Sequence, residues 1–291
     1  MNILVTGANG QLGRELRNAS QGSGHRFIFS DVSSVPGLDT LYLDITNRDA
    51  VSIVCESESI DVIVNCVAYT DVEKAEDDIS FAETLNHFGP GTLAAVAASR
   101  GATLVHISTD YVFGGDACTP YREDDPVSPL GVYGATKLQG EKAVLDSPCK
   151  SIIIRTAWLY SPYGKNFVKT VLRLSAEGRD MRCVFDQVGS PTYAADLAAL
   201  IVSIIDGGML GRTGVYHFTD EGAVSWYDFA KAVARLSGSS MKISPCRTEE
   251  FPTKAARPHY SVLDKAKVKQ TFGITIPYWQ DSLEDCLKRM Q

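Results

Sequence analysis

Ile3-Leu4-Val5-Thr6-Gly7-Ala8-Asn9-Gly10-Gln11-Leu12-Gly13 lies at the start of the chain, and its reading decides the fold. The apolar run Ile3-Leu4-Val5 reads as a short strand. Glycines then recur as G-x-x-G-x-x-G, and Leu12 and Leu16 share one face of a helix. Strand, glycine turn and helix in that order match a dinucleotide-binding start. Gly7, Gly10 and Gly13 allow a tight turn, close backbone approach to a pyrophosphate, and packing of helix on strand. The helix N-terminus adds free N–H groups and a positive dipole end for phosphates. A glycine turn that binds nothing is the other reading.

The next apolar run, Phe27-Ile28-Phe29-Ser30, ends in Asp31. An acid about 20 residues after such glycines meets the adenosine ribose 2′-hydroxyl. A carboxylate there repels a 2′-phosphate and favours NADH over NADPH. A solvent-facing turn residue is the alternative role for Asp31.

Further along, strands alternate with helices. Leu41–Asp44, Asp61–Ala68, Thr103–Ile107 and Ser151–Arg155 read as strands, with helices over Ala50–Glu58, Phe81–Arg100 and Val132–Leu145. That alternation predicts an α/β fold, a Rossmann-type doubly wound parallel sheet with ligands at the carboxyl ends of its strands. Residues 1–155 form the dinucleotide-binding domain on this reading. Residues 156–291 form mainly a smaller α/β substrate lobe, with some later segments returning to the first domain. Helices are expected at Phe167–Glu177, Ala194–Asp206, Ser225–Leu236, Asp264–Phe272 and Trp279–Met290, and strands at Arg182–Phe185, Val215–Phe218 and Lys242–Ser244.

Composition narrows the function classes. The chain has 291 residues, is 44% hydrophobic, and carries a net charge of −7, which argues against a nucleic-acid-binding face. Its seven cysteines are scattered and form no C-x-x-C pair, so neither a zinc site nor a disulfide framework is indicated. No apolar run reaches the roughly 18 residues of a membrane span. The strand at the extreme N-terminus leaves no room for a signal peptide. A reducing cytoplasm is the expected setting.

The chemistry is read from Tyr133-Gly134-Ala135-Thr136-Lys137. A Tyr and a Lys four apart on a helix lie one above the other. The ammonium is expected to lower the phenol's pKa, so that the Tyr can protonate a developing alkoxide. Tyr227 and Lys231 repeat the spacing. They sit on an amphipathic helix without a glycine loop or Ser/Thr strand end nearby, and read as a surface feature. Tyr133 instead follows the strand end Ser108-Thr109-Asp110 and a long Gly- and Pro-rich loop, of a length that is often functional. Trp158, at another strand end, can stack on a base or sugar or simply pack.

Together, the N-terminal glycine loop, the Ser/Thr strand end and Y-x-x-x-K on the following helix resemble the extended short-chain dehydrogenase/reductase superfamily. Within it, Ser108–Phe113, Val132–Glu141, Arg155–Tyr160, Asp186–Thr192 and Arg257-Pro258 resemble the dTDP-4-dehydrorhamnose reductase family. The resemblance implies reduction of the 4-keto group of dTDP-4-dehydro-L-rhamnose with NADPH or NADH. It implies Thr109, Tyr133 and Lys137 as the catalytic set. Gly10, Gln11 and Leu12 would face the pyrophosphate; Asp31, Asp44 and Ile45 would line the adenosine end; Ala68, Tyr69 and Thr70 would lie along the cofactor. Tyr133 and Lys137 would touch the cofactor as well. Thr109 and Asp110 would meet the sugar and Trp158 would pack beside it. Some members use Mg2+ at a dimer contact through an acid placed like Glu15; no further acidic ligands are identifiable, so no metal site is assigned. The partner is a nucleotide-sugar, and the chain is expected as monomer or homodimer.

Two other readings stay open. A sugar-nucleotide epimerase or dehydratase shares most single motifs. A non-catalytic regulatory subunit, like the beta subunit of methionine adenosyltransferase, shares the resemblance without the turnover.

Overall fold

The structure, a computed structural model, describes residues 1–290. Its elements in the first half are β1 (Asn2–Thr6), α1 (Gln11–Ala19), β2 (Arg26–Asp31), β3 (Leu41–Tyr42), α2 (Arg48–Ser57), β4 (Val62–Asn65), α3 (Val72–Ala75), α4 (Ile79–Glu83), α5 (Gly89–Arg100), β5 (Thr103–Thr109), α6 (Val132–Leu145) and β6 (Lys150–Thr156). The second half adds β7 (Leu159–Tyr160), α7 (Phe167–Ala176), β8 (Met181–Val184), β9 (Val188–Gly189), β10 (Thr192–Tyr193), α8 (Ala194–Asp206), β11 (Gly214–His217), β12 (Val224–Ser225), α9 (Trp226–Leu236), β13 (Ile243–Cys246), α10 (Ala266–Phe272) and α11 (Trp279–Lys288).

Seven parallel strands form the central sheet in the order β11-β6-β5-β4-β1-β2-β3. This is the doubly wound order 3-2-1-4-5-6 with one more strand at the edge. Strand alternation explains why both faces need cover. Ile3, Val5, Val62, Val64, Ile152 and Ile154 point to one side, where α1, α8 and α10 bury them. Leu4, Ile63, Leu104 and Ile153 point to the other, under α2, α5 and α6. A third cluster gathers Val168, Val171, Phe229, Val233, Trp279 and Leu283 from α7, α9 and α11.

One helix expectation is corrected. Phe81–Arg100 is not uniform: α4 and α5 are joined by a π-helical turn, Thr84–Phe88. Pro90 has no N–H to give the Asn86 carbonyl, which frees that turn to widen. Asn86 is thereby turned inward and fully buried. Its Oδ1 accepts the Tyr69 N–H at 2.8 Å, and its Nδ2 donates to the Tyr69 carbonyl and to Thr136 Oγ1.

Candidate active site

At the sheet's switch point, β1 and β4 are neighbours whose chains lead away to opposite sides, so their carboxyl ends leave a crevice. The glycine loop closes the bottom of it. Gly7 has φ +69°, and a Cβ there would sit 2.8 Å from Val67 N; at Gly13 a Cβ would meet Ala8 Cα at 2.5 Å. Only glycine lets the loop lie this close to β4 and to itself.

The cleft is about 660 Å³. Of the residues singled out in the sequence, Gly7, Gly10, Gln11 and Leu12 line it from the loop, and Ala68 and Thr70 from the end of β4. Thr109 and Asp110 line it from β5, Tyr133 and Lys137 from α6, and Trp158 from beyond β6. Gly13, Asp31, Asp44, Ile45 and Tyr69 are not in its lining. Gly13 packs inside the loop. Asp31 braces the loop from outside, accepting the Asn9 N–H at 3.0 Å and two bonds from Ser33. Asp44 accepts from Thr46 in a local turn. The Ile45 side chain is buried in the core, and the Tyr69 ring stands edge-on to Phe81.

Lys137 is buried, and its Nζ donates to the Ile107 carbonyl at 2.6 Å. Burial lowers its pKa to about 8, against the opposing pull of Glu141. Glu141 is itself held by Arg155 in a two-pronged buried pair at 2.9 and 2.7 Å. Tyr133 departs from expectation. Burial raises its phenol to about 12, the Thr109 side chain opposes the rise, and Asp110 adds to it. The Lys137 ammonium is bonded to the Ile107 carbonyl and not to the phenol. The phenol is therefore fully protonated at neutral pH, the form a proton donor needs.

The hydroxyl of Thr109 donates to Asp110 Oδ1 at 3.0 Å and accepts the Tyr111 N–H at 3.2 Å. Donation to a substrate oxygen thus requires this hydrogen to swing away from Asp110. The other Asp110 oxygen is buried without a partner, and burial lifts this carboxyl to about 6.

Trp158 has φ +47°, an uncommon and strained conformation for a bulky residue. Its indole stacks on Trp226 with centroids 3.5 Å apart and planes 10° apart. A Cβ on Gly189 would lie 2.7 Å from the same indole. Trp226, Lys165 and Arg257 also line the cleft, and the sequence reading gave none of them a role. Arg257 lay in a quoted motif, and its guanidinium pairs with Glu73 at 2.8 Å. Trp226 had a signal in hindsight: Ser225 caps α9 with a full capping box, which fixes where the following side chain points. The repeat pair Tyr227 and Lys231 does not line this cleft.

Beside Glu15 the place of a cation is held by a side chain: one carboxylate oxygen accepts from Asn18 and from Arg289. Among the described residues, no three His, Cys, Asp or Glu side chains converge on a metal position.

The family model of the RmlD substrate binding domain matches residues 1–291. A dTDP-4-dehydrorhamnose reductase of Aggregatibacter actinomycetemcomitans is 40% identical over 292 residues, covering 97% of each chain. The crystal structure of a dTDP-4-dehydrorhamnose reductase from Clostridium acetobutylicum is 44% identical, superposes with a TM-score of 0.93, and covers all of both chains. That of Bacillus anthracis, solved in complex with NADP, is 36% identical with a TM-score of 0.90, covering 100% and 99%.

Proposed function

Since the chain belongs to the RmlD substrate-binding family of dTDP-4-dehydrorhamnose reductases, we propose that Thr109, Tyr133 and Lys137 perform that reduction. The protein is an NAD(P)H-dependent oxidoreductase, which reduces the 4-keto group of dTDP-4-dehydro-L-rhamnose to give dTDP-L-rhamnose. One observation carries the residue assignment: a protonated phenol, a buried ammonium and a glycine loop share one cleft at the sheet's switch point.

Bound nicotinamide supplies the hydride to the sugar C4. The rest of the step falls to the chain. Tyr133 gives its proton to the ketone oxygen as negative charge develops there, which is worth ~10²–10⁴-fold. Thr109, once its hydrogen leaves Asp110, donates to the same oxygen. Lys137 places a cation behind the phenol and can turn from the Ile107 carbonyl to the cofactor ribose. Gly7, Gly10, Gln11, Leu12 and the packing residue Gly13 would form the pyrophosphate cradle. Ala68, Tyr69 and Thr70 would run beside it, and Asp31, Asp44 and Ile45, outside the cleft lining, would lie toward the adenosine. Lys165 and Arg257 offer positive charge for the diphosphate of the sugar nucleotide. Trp158 walls the sugar.

The same reading divides the chain near residue 155, with α8, β11 and α10 belonging to the dinucleotide-binding half. It takes the protein as a cytoplasmic monomer or homodimer. All seven cysteines are free thiols, and among the described residues no helix is long and apolar enough to cross a membrane.

The deciding experiment supplies dTDP-4-keto-6-deoxyhexose generated in situ and each reduced cofactor in turn. One nicotinamide is consumed per sugar reduced. An epimerase or dehydratase would turn the sugar over without net loss of the reduced-nicotinamide absorbance, and a regulatory subunit would do nothing to it.

A further inference from the structure

Glu15 is 1% exposed although it is a carboxylate. It sits on α1, one turn past the glycine loop. One of its oxygens accepts Arg289 Nη2 at 2.9 Å and Asn18 Nδ2 at 3.2 Å. Its other oxygen is buried with no partner. Two more acids belong to the same neighbourhood: Asp196, whose carboxyl is raised chiefly by burial, is pushed further by Asp285 and Glu15. Arg289 follows α11, lies against the Tyr193 ring at 5.8 Å, and donates to the Tyr193 hydroxyl. Its pKa is driven up by Glu15 despite partial burial. Asn18 extends the contact by donating to the Tyr163 hydroxyl at 3.0 Å.

The buried Glu15 carboxylate of α1 thus meets one side-chain cation, the Arg289 guanidinium just past α11, while Asp196 of α8 is bonded to Ser282 of α11. A buried carboxylate without a paired cation is strongly destabilising. In some relatives a divalent ion meets an acid placed like Glu15; here a guanidinium is already bonded to one of its oxygens. We propose that Arg289 is the built-in cation of this junction, so that α1 is fastened to α11 without a divalent ion.

Thermal unfolding and size-exclusion mass are measured for the full chain in EDTA and in millimolar MgCl2. The native protein gives the same midpoint and mass in both. Arg289→Met lowers the midpoint by several degrees, and Mg2+ does not restore it. Arg289→Glu lowers it in EDTA, and Mg2+ raises it again, because the metal then takes the place that the guanidinium left. Should Arg289→Glu fail to fold, Arg289→Met with Glu15→Gln serves: neutralising the acid recovers midpoint lost in Arg289→Met alone. A native midpoint or mass that moves with Mg2+ overturns the proposal. So does an Arg289→Met midpoint equal to the native one, an Arg289→Glu protein indifferent to Mg2+, or a double variant no better than Arg289→Met.

Discussion

Lys137 offers the sharpest test of the site, because its titration falls inside the working pH range. Its ammonium is buried with the Ile107 carbonyl as hydrogen-bond partner, and burial brings its pKa to about 8. At pH 7 roughly 90% of it is charged, and at pH 9 roughly 10%, following the tenfold change in ratio per pH unit. If the cation supports Tyr133 and the cofactor, kcat/KM for the reduced cofactor is flat at neutral pH. It then falls about tenfold per unit above pH 8, since kcat/KM reports groups of the free enzyme. The phenol cannot produce that limb, because its own pKa is raised to about 12. Lys137→Arg, whose guanidinium stays charged, removes the limb at the cost of a lower plateau. Lys137→Met lowers both rate and cofactor affinity and is flat over the same range. Rates are read from loss of reduced-nicotinamide absorbance in constant-ionic-strength buffers. A native profile flat to pH 10, or a limb that persists in Lys137→Arg, would show that the Lys137 charge does not support the reaction. The stability sign runs the other way: a lysine lowered in the folded state resists unfolding least below pH 8 and gains as pH climbs toward 10.5.

Tyr133→Phe keeps the edge-on contact with Tyr111 but loses the proton donor; kcat should fall ~10²–10⁴-fold with cofactor binding nearly unchanged, and lost cofactor binding by fluorescence titration would count against the assignment. Trp226→Ala removes the stacked partner of a strained Trp158; KM for the keto-sugar should rise while KM for the cofactor holds, and the reverse pattern in steady-state kinetics would remove this wall from the sugar site. Arg155→Leu strands a buried Glu141, at a cost of about 3–5 kcal/mol in urea unfolding. The double variant with Glu141→Leu should recover part of that, and a single variant within 1 kcal/mol of native would contradict a buried unpaired charge. Gly189→Val drives a side chain into the Trp158 indole and should weaken binding of the sugar-nucleotide product, by isothermal titration with dTDP-L-rhamnose, more than cofactor binding.

The main sheet was legible because its strands are continuous apolar runs closed by turn residues, and its helices carry a clear period. The two-residue strands β7, β9, β10 and β12 were not, since two residues have no period; β3, equally short, was read only through the longer run Leu41–Asp44. The π-helical turn at Asn86 needed a side chain to find partners far away in sequence, on β4's exit and on α6. In the site, the glycine loop and Tyr133 were legible from spacing. The state of Tyr133 was not: the same burial that makes the cleft raises the phenol, and the amine one turn on is spent on a carbonyl. Spacing reports who can meet, and burial decides what they do when they meet. Trp226 escaped because the capping box that sets the start of α9 does not tell that Trp158 stands against it.

The outermost strand of the sheet, β11, pairs with β6 only after the intervening chain from 157 to 213 has been made. Until then Ile152, Ile153 and Ile154 lie on an open edge with unpaired amides. A nascent or truncated chain ending before residue 214 carries a flat, greasy border of the kind that recruits other chains. Expression of the first half alone should therefore give aggregates, and yield should return once the segment through His217 is included.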